Sequence, residues 1–204
     1  MTCQNPASEI SNKFYEVDNF LDSQHQLRLI KFLLHPSFPW ALTTNAVNGV
    51  TDNFELNPND TIGMFHTFLY SGEICSPYYK EIDWVFQEFE KIGLRKDQCL
   101  RVRAGLFFKH PDHSPHPCHV DAKLPHTTAV YYVNDCDGDL LIYNETYKSH
   151  PWKAPLVPTE ISRFHPNQGK LAVFDGAHYH SSSYPTKKSM RLAITFNFLS
   201  KEDQ

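Results

Sequence analysis

The sequence predicts a mainly β fold of the α+β class, with two N-terminal helices laid against an antiparallel β-sandwich, for which a jelly roll satisfies the strand count and limits exposed edges. Three observations lead there. From about Leu100 the chain runs in short β-branched and aromatic stretches separated by Pro, Asn, Asp and Gly. No helical period falls between those stretches, so crossover helices are missing and the strands pair antiparallel. Upstream, two segments place apolar residues at helical spacing instead.

Ser23 can cap the first helix with Gln26 at the capping-box position, followed by Leu27, Ile30, Leu33 and Leu34 on one stripe. His35-Pro36 stops it. Asn45 to Phe65 is polar and turn-rich and reads as loop with room for one strand. Ser76-Pro77 opens the second helix, in which Ile82, Val85, Phe86, Phe89 and Ile92 recur on one face before Gly93 closes it. The expected strands are Leu100 to Lys109, Thr127 to Val133, Leu140 to Tyr143, Lys170 to Phe174 and Leu192 to Phe198. With no repeat, low-complexity tract or Gly/Ser linker, residues 1–204 are expected to form one domain, with 1–99 as a helical and loop support region and 100–198 as the β core.

Composition narrows the function. A chain of 204 residues that is 41% hydrophobic and 21% charged is not disordered, collagenous or a coiled coil. No apolar run approaches the roughly 18 residues of a membrane helix. Nineteen Lys and Arg against 23 Asp and Glu leave a net charge of −4, which disfavours nucleic acid as the main partner. The first twenty residues lack a basic patch and an apolar stretch of signal length, so a cytoplasmic location is expected. The 5 cysteines are scattered, without a CxxC pair, and read as reduced thiols. Cys118 would face away from its neighbour His119, because adjacent residues of an extended chain alternate. Among the tryptophans, Trp84 suits buried packing, while Trp40 and Trp152 could flank the mouth of a site.

The 12 histidines cluster between His110 and His126 and again at His178 and His180. A transition metal needs converging imidazole and carboxylate groups, and a strand puts residues i and i+2 on one face. His119-Val120-Asp121 does this. The triplet is near chance expectation on its own, and His110-Pro111-Asp112 is another, but Pro111 removes a ladder hydrogen bond that the first can keep. His110, His113, His116 and His119 recur every third residue, yet Pro111, Pro115 and Pro117 forbid the helix that would gather them into a zinc site. They read as loop histidines at the mouth of a site, with His116 and His126 the nearest to substrate or ligands. The third ligand comes from His178 or His180, which share a face if extended. Arg191, the lone charge heading the apolar strand RLAITFNF, calls for an anion, and its planar guanidinium suits a dicarboxylic acid through two parallel bonds.

Taken in order, His119-Val120-Asp121, the strand from Thr128 through Tyr132 to Asn134, the turn Asp137-Gly138-Asp139-Leu140, Phe174 to His180, and Arg191-Leu192-Ala193-Ile194-Thr195 resemble the Fe(II)/2-oxoglutarate-dependent oxygenase superfamily. The likeness is greatest to its prolyl-hydroxylase branch and to small phage homologues, and covers roughly Leu100 to Phe198. Measured from Phe174, the family's ligand falls on His180. The resemblance implies a double-stranded β-helix, a distorted jelly roll, with Fe(II) held by His119, Asp121 and His180. It implies that Arg191 pairs with the distal carboxylate of 2-oxoglutarate, helped by Tyr132, and that Thr128 and Leu140 line the same pocket. The implied reaction is hydroxylation of an unactivated C–H bond by dioxygen, with succinate and carbon dioxide as co-products and ascorbate as an auxiliary reductant.

Two departures stand out. The family's Gly-Gly turn is Asp137-Gly138, and the tyrosine that some prolyl hydroxylases carry about ten residues before HxD is replaced by Phe107, Phe108 and Lys109. A small molecule, a peptide and a protein all remain open as substrate. One rival is oxidative demethylation of nucleic acid, but the second arginine used there, six positions after the first, is Asn197. Another is a non-catalytic jelly roll that binds a metal or a small acid. No segment specifies an oligomeric state.

Overall fold

The computed structural model describes residues 14–44, 61–148 and 154–200. Its strands are β1 (Tyr15–Val17), β2 (Ala41–Thr43), β3 (Gly63–Tyr70), β4 (Glu73–Ile74), β5 (Cys99–Phe108), β6 (His126–Tyr132), β7 (Leu140–Thr146), β8 (Glu160–Phe164), β9 (Leu171–Asp175), β10 (His178–Ser182) and β11 (Met190–Leu199). Eight form one antiparallel sheet in the order β1-β9-β6-β11-β5-β3-β2, with β4 paired to β3. The other three make a smaller sheet, β10-β7-β8. Among the described residues no helix is long and apolar enough to cross a membrane.

The period-2 alternation of the strands sorts the large sheet into two apolar faces. Val102, Ala104 and Leu106 of β5, Tyr131 of β6, and Leu192, Ile194, Phe196 and Phe198 of β11 face one way and pack on the helices. Val130 and Tyr132 of β6, Ala172 and Phe174 of β9, and Ala193 of β11 face the other way and meet Leu140, Ile142 and Phe164 of the small sheet. Positions 191, 195 and 197 of β11 have the parity of Ala193, and Arg101 and Arg103 of β5 have the opposite parity to Val102 and Ala104. Arg101, Arg103, Arg191, Thr195 and Asn197 therefore point between the sheets.

The helices differ from expectation in detail. Helix α1 (Ser23–Leu33) is capped by Asp22, whose carboxylate accepts from the His25 amide at 2.8 Å, one residue before the expected Ser23 cap. Its buried residues are Leu29 and Leu33, while Leu27 and Leu34 are largely exposed. The second helical region is split into 3-10 turns over Pro77–Glu81 and Asp83–Val85 followed by α2 (Phe86–Lys91). Its apolar stripe holds nonetheless: Ile82, Val85, Phe86 and Phe89 are buried. Ser76 caps the first turn through its hydroxyl. Gly93, with φ of 84°, takes the left-handed turn that ends α2, and the Leu94 amide bonds back to the Phe89 carbonyl.

The region before residue 100 holds more than helix and loop. β1, β2, β3 and β4 lie there, and β3 inserts between β2 and β5 as a full member of the large sheet. Only the last residues of the expected loop Asn45 to Phe65 are described. They open on β3, and positions 45–60 lie outside the described residues. β8 and β10 also add to the expected strands.

Candidate metal centre and its cavity

His119 and His180 are locked face to face by the backbone, each amide donating to the other's carbonyl at 2.9 Å. Their ring centroids stand 4.7 Å apart, and Phe174 supports His180 edge-on at 5.0 Å. Nδ1 of His180 lies 3.1 Å from the His178 carbonyl, and Nδ1 of His119 lies 3.4 Å from the Pro117 carbonyl. A proton on each Nδ1 satisfies those carbonyls and leaves both Nε2 lone pairs for a cation. Each Nε2 is 3.7 Å from a different oxygen of Asp121, and the three donor atoms lie within 4.8 Å of one another. Desolvation lowers both imidazole pKa values, that of His180 to about 4, so the rings stay neutral, the form a metal requires.

His178 does not join them. Its Nδ1 lies 2.7 Å from the Tyr143 carbonyl and its ring packs on Phe14. The register of β10 on β7 shifts between His178 and His180, and this irregularity separates two side chains that a regular strand would place together.

The Asp121 side chain is only 7% exposed and is held on both oxygens. Arg101 pairs with Oδ1 at 2.5 Å, and Asn197 donates to Oδ2 at 2.9 Å. Asn197 also donates to the Thr128 hydroxyl at 3.0 Å and accepts from Arg101 at 2.9 Å, so the carboxylate sits at the head of a closed polar network. Burial opposes its charge, but Arg101 and the two histidines hold it ionised, well below the usual carboxylate range. Thr128 thus stands behind the carboxylate as a support, rather than on the cavity wall where the resemblance places it.

Arg191 occupies the other end of the space. It is buried, its Nε donates to the Gly138 carbonyl at 3.0 Å, and no carboxylate among the described residues pairs with it. Arg191, Leu140, His116, Asp121, His119 and His180 line one cavity. Tyr132 lies beside Arg191, whose Cζ is 5.6 Å from the ring centroid; the buried phenol makes no hydrogen bond of good geometry among the described residues. Gly138 cannot carry a side chain here, since a Cβ would collide with the Ser183 carbonyl and come within 3.1 Å of Arg191 Cδ. Asp137 anchors the turn by accepting from the Thr186, Lys187 and Lys188 amides, with its negative charge favoured despite partial desolvation.

Of the two histidines expected nearest to ligands, His116 lines the cavity with a buried Nε2 that has no hydrogen-bond partner among the described residues. His126 does not: it is fully buried, bonds the Leu124 carbonyl at 2.7 Å, and packs over Gly176 with no room for a Cβ there. His110 and His113 are exposed, and no second group of metal-ligating side chains occurs among the described residues. Trp40 and Trp84 are half-buried and donate to the Leu33 and Glu81 carbonyls, away from the cavity; Trp152 lies outside the described residues. Cys118 packs with Val120, Leu141 and Tyr179 on the far side of the small sheet, and the four described cysteines are free. Sequence reasoning passed over Arg101, Arg103 and Asn197. The signal was present in the alternation of Leu100-Arg101-Val102-Arg103-Ala104, which puts two cations on the face that the apolar residues avoid.

No protein-family model matches the sequence, and no curated protein does. Solved structures match in fold. A 2OG-Fe(II) oxygenase family oxidoreductase from Burkholderia pseudomallei aligns over 91% of this chain and 84% of its own, with a TM-score of 0.61 at 14% identity. A prolyl hydroxylase from Trichoplax adhaerens, solved with a hypoxia inducible factor peptide fragment, aligns over 93% and 84% with a TM-score of 0.58 at 17% identity. The alpha ketoglutarate dependent epimerase SnoN of nogalamycin biosynthesis aligns over 93% and 79% with a TM-score of 0.58 at 12% identity. At such identities the shared property is architecture: this chain has the double-stranded β-helix fold of the 2OG-Fe(II) oxygenases.

Proposed function

We propose that this protein is an Fe(II)- and 2-oxoglutarate-dependent dioxygenase that hydroxylates an unactivated C–H bond, with succinate and carbon dioxide as co-products. A prolyl or other amino-acid unit is the substrate class that the hydroxylase neighbours suggest. The observation that supports it most is the convergence of two neutral Nε2 atoms and one ionised carboxylate in a cavity that also contains a buried arginine without an acid partner. Two imidazoles and one carboxylate are the donor set of the facial triad and fit Fe(II).

His119, Asp121 and His180 would hold the metal from one side. Iron bound there supplies the chemistry that couples decarboxylation of a 2-oxo acid to oxidation of a C–H bond. The chain's own residues do the positioning. Arg191 has its NH1 and NH2 donors left for the distal carboxylate of 2-oxoglutarate, with Nε tied to Gly138 so that the guanidinium cannot swing. Arg101 and Asn197 orient the Asp121 carboxylate, and apolar residues of β6, β7 and β11 pack behind the site.

The test is anaerobic reconstitution with Fe(II) and 2-oxoglutarate, followed by oxygen and measurement of succinate. Succinate from the wild type, lost in His180→Ala and strongly reduced in Arg191→Gln, is expected. A protein that retains zinc, or no metal, and leaves 2-oxoglutarate unchanged would favour the non-catalytic binding module and overturn the enzyme assignment.

A further inference from the structure

Arg103 is the cation in this cavity that has no assigned work. Arg101 is bound to Asp121 and Arg191 is reserved for the cosubstrate, but Arg103 makes no hydrogen bond and no ion pair with any described residue. Its guanidinium lies over the Phe65 ring, 3.8 Å from the centroid. Stacking uses the face of the group and leaves its edge of N–H donors free. Holding an arginine partly desolvated without a directly paired anion is costly, and here burial and the neighbouring Arg101 act against its charge and Asp121 only partly offsets them, lowering its pKa to about 10.

Its surroundings are built for an anion. Register pairs Arg103 with Thr67 of β3 on one side and Thr195 of β11 on the other, so two hydroxyl-bearing residues flank it on the same face of the sheet. Thr195 lines the metal cavity, Thr67 lines an adjoining groove of about 350 Å³ beside β2 and β3, and Arg103 lines both. That volume is large enough for a small molecule.

Building on the oxygenase reading above, we propose that the substrate is a small free carboxylic acid, amino acids included, that lies in this groove and is anchored by its carboxylate on Arg103 between Thr67 and Thr195. One unpaired guanidinium matches one carboxylate. Anchoring the acid there leaves the rest of the molecule directed along the cavity toward His119, Asp121 and His180.

The test uses the full chain loaded with zinc as a redox-inert metal and with N-oxalylglycine as the cosubstrate analogue. Ligand-detected NMR is run on matched pairs of small acids and their primary amides, including N-acetyl amino acids and their carboxamides. Acids are expected to bind and amides not, with acid affinity falling about tenfold or more in Arg103→Gln and partly restored in Arg103→Lys, while N-oxalylglycine affinity holds. Thermal melting of each variant confirms folding. Equal binding of acids and amides, acid binding indifferent to Arg103→Gln, or no acid binding would overturn the proposal. So would a preference for phosphate monoesters, or for carboxylates carried only on peptides. A parallel loss of N-oxalylglycine affinity would assign Arg103 to the cosubstrate and overturn it too. Failure of wild-type protein to take up metal and N-oxalylglycine is a separate result, which refutes the oxygenase reading itself.

Discussion

Replacing Arg101 by Met removes the cation from a buried carboxylate while keeping an apolar stem of similar length. The side chains of Arg101 and Asp121 are 17% and 7% exposed and meet at 2.5 Å, so little solvent is available to replace the lost partner. Removing one partner of a buried ion pair costs about 3–5 kcal/mol, most of it the penalty of the stranded charge. Asn197 still donates to Asp121 in the variant, which places the expected loss at the lower end, about 3 kcal/mol. The origin can be isolated with a double-mutant cycle against Asp121→Asn, read by urea unfolding of the metal-free protein. With the carboxylate already neutral, Arg101→Met is expected to cost about 1 kcal/mol, giving a coupling of about 2 kcal/mol. Additive losses, with a coupling below about 0.5 kcal/mol, would refute the account and reduce Arg101 to a packing residue.

Three more outcomes are expected. Gly138→Ala drives a methyl into the Ser183 carbonyl and against Arg191, so it is expected to destabilise by about 1–3 kcal/mol and to weaken 2-oxoglutarate binding, measured by calorimetry on zinc-loaded protein. Asn197→Ala removes a donor from Asp121 and one from Thr128, and is expected to lower metal affinity about 10- to 100-fold in a chelator competition. His116 is kept neutral by burial and by Arg191, with its pKa lowered to about 3 from 6.5. The unfolded chain therefore binds more protons below pH 6.5, and stability falls as pH drops from there toward 3. His116→Leu should flatten that slope in metal-free unfolding curves, and an unchanged slope would remove His116 as its source.

The strands from β5 onward were legible because alternation and turn residues act locally, and so was the class of the fold. The ordered set His119, Asp121 and Arg191 was legible as residue types, since a lone cation heading an apolar strand is visible in one dimension. β3 was not, because its run of Gly63-Met64-Phe65-His66-Thr67 lacks strong alternation and is stabilised by pairing with β5 on one side and β2 on the other. The α1 stripe was only partly legible, since Leu33 and Ile30 meet the core as expected but Leu29 replaces Leu27 and Leu34: the tilt of a helix on its sheet is not encoded in its own period.

By itself the chain determined its chemistry: which side chains could bind a metal, which cation could bind a two-ended acid, and which positions alternate into a sheet. Which histidine meets His119 and Asp121 was decided by a register shift in β10, a property of two strands together. That Arg101 and Asn197 close on Asp121, with Thr128 held by Asn197, was decided by adjacency across β5, β11 and β6, which brings Asn197 against residues 69, 76 and 96 positions away in sequence. Local pattern follows from short-range sterics and solvation, whereas convergence follows from long-range pairing, and only the folded chain carries it.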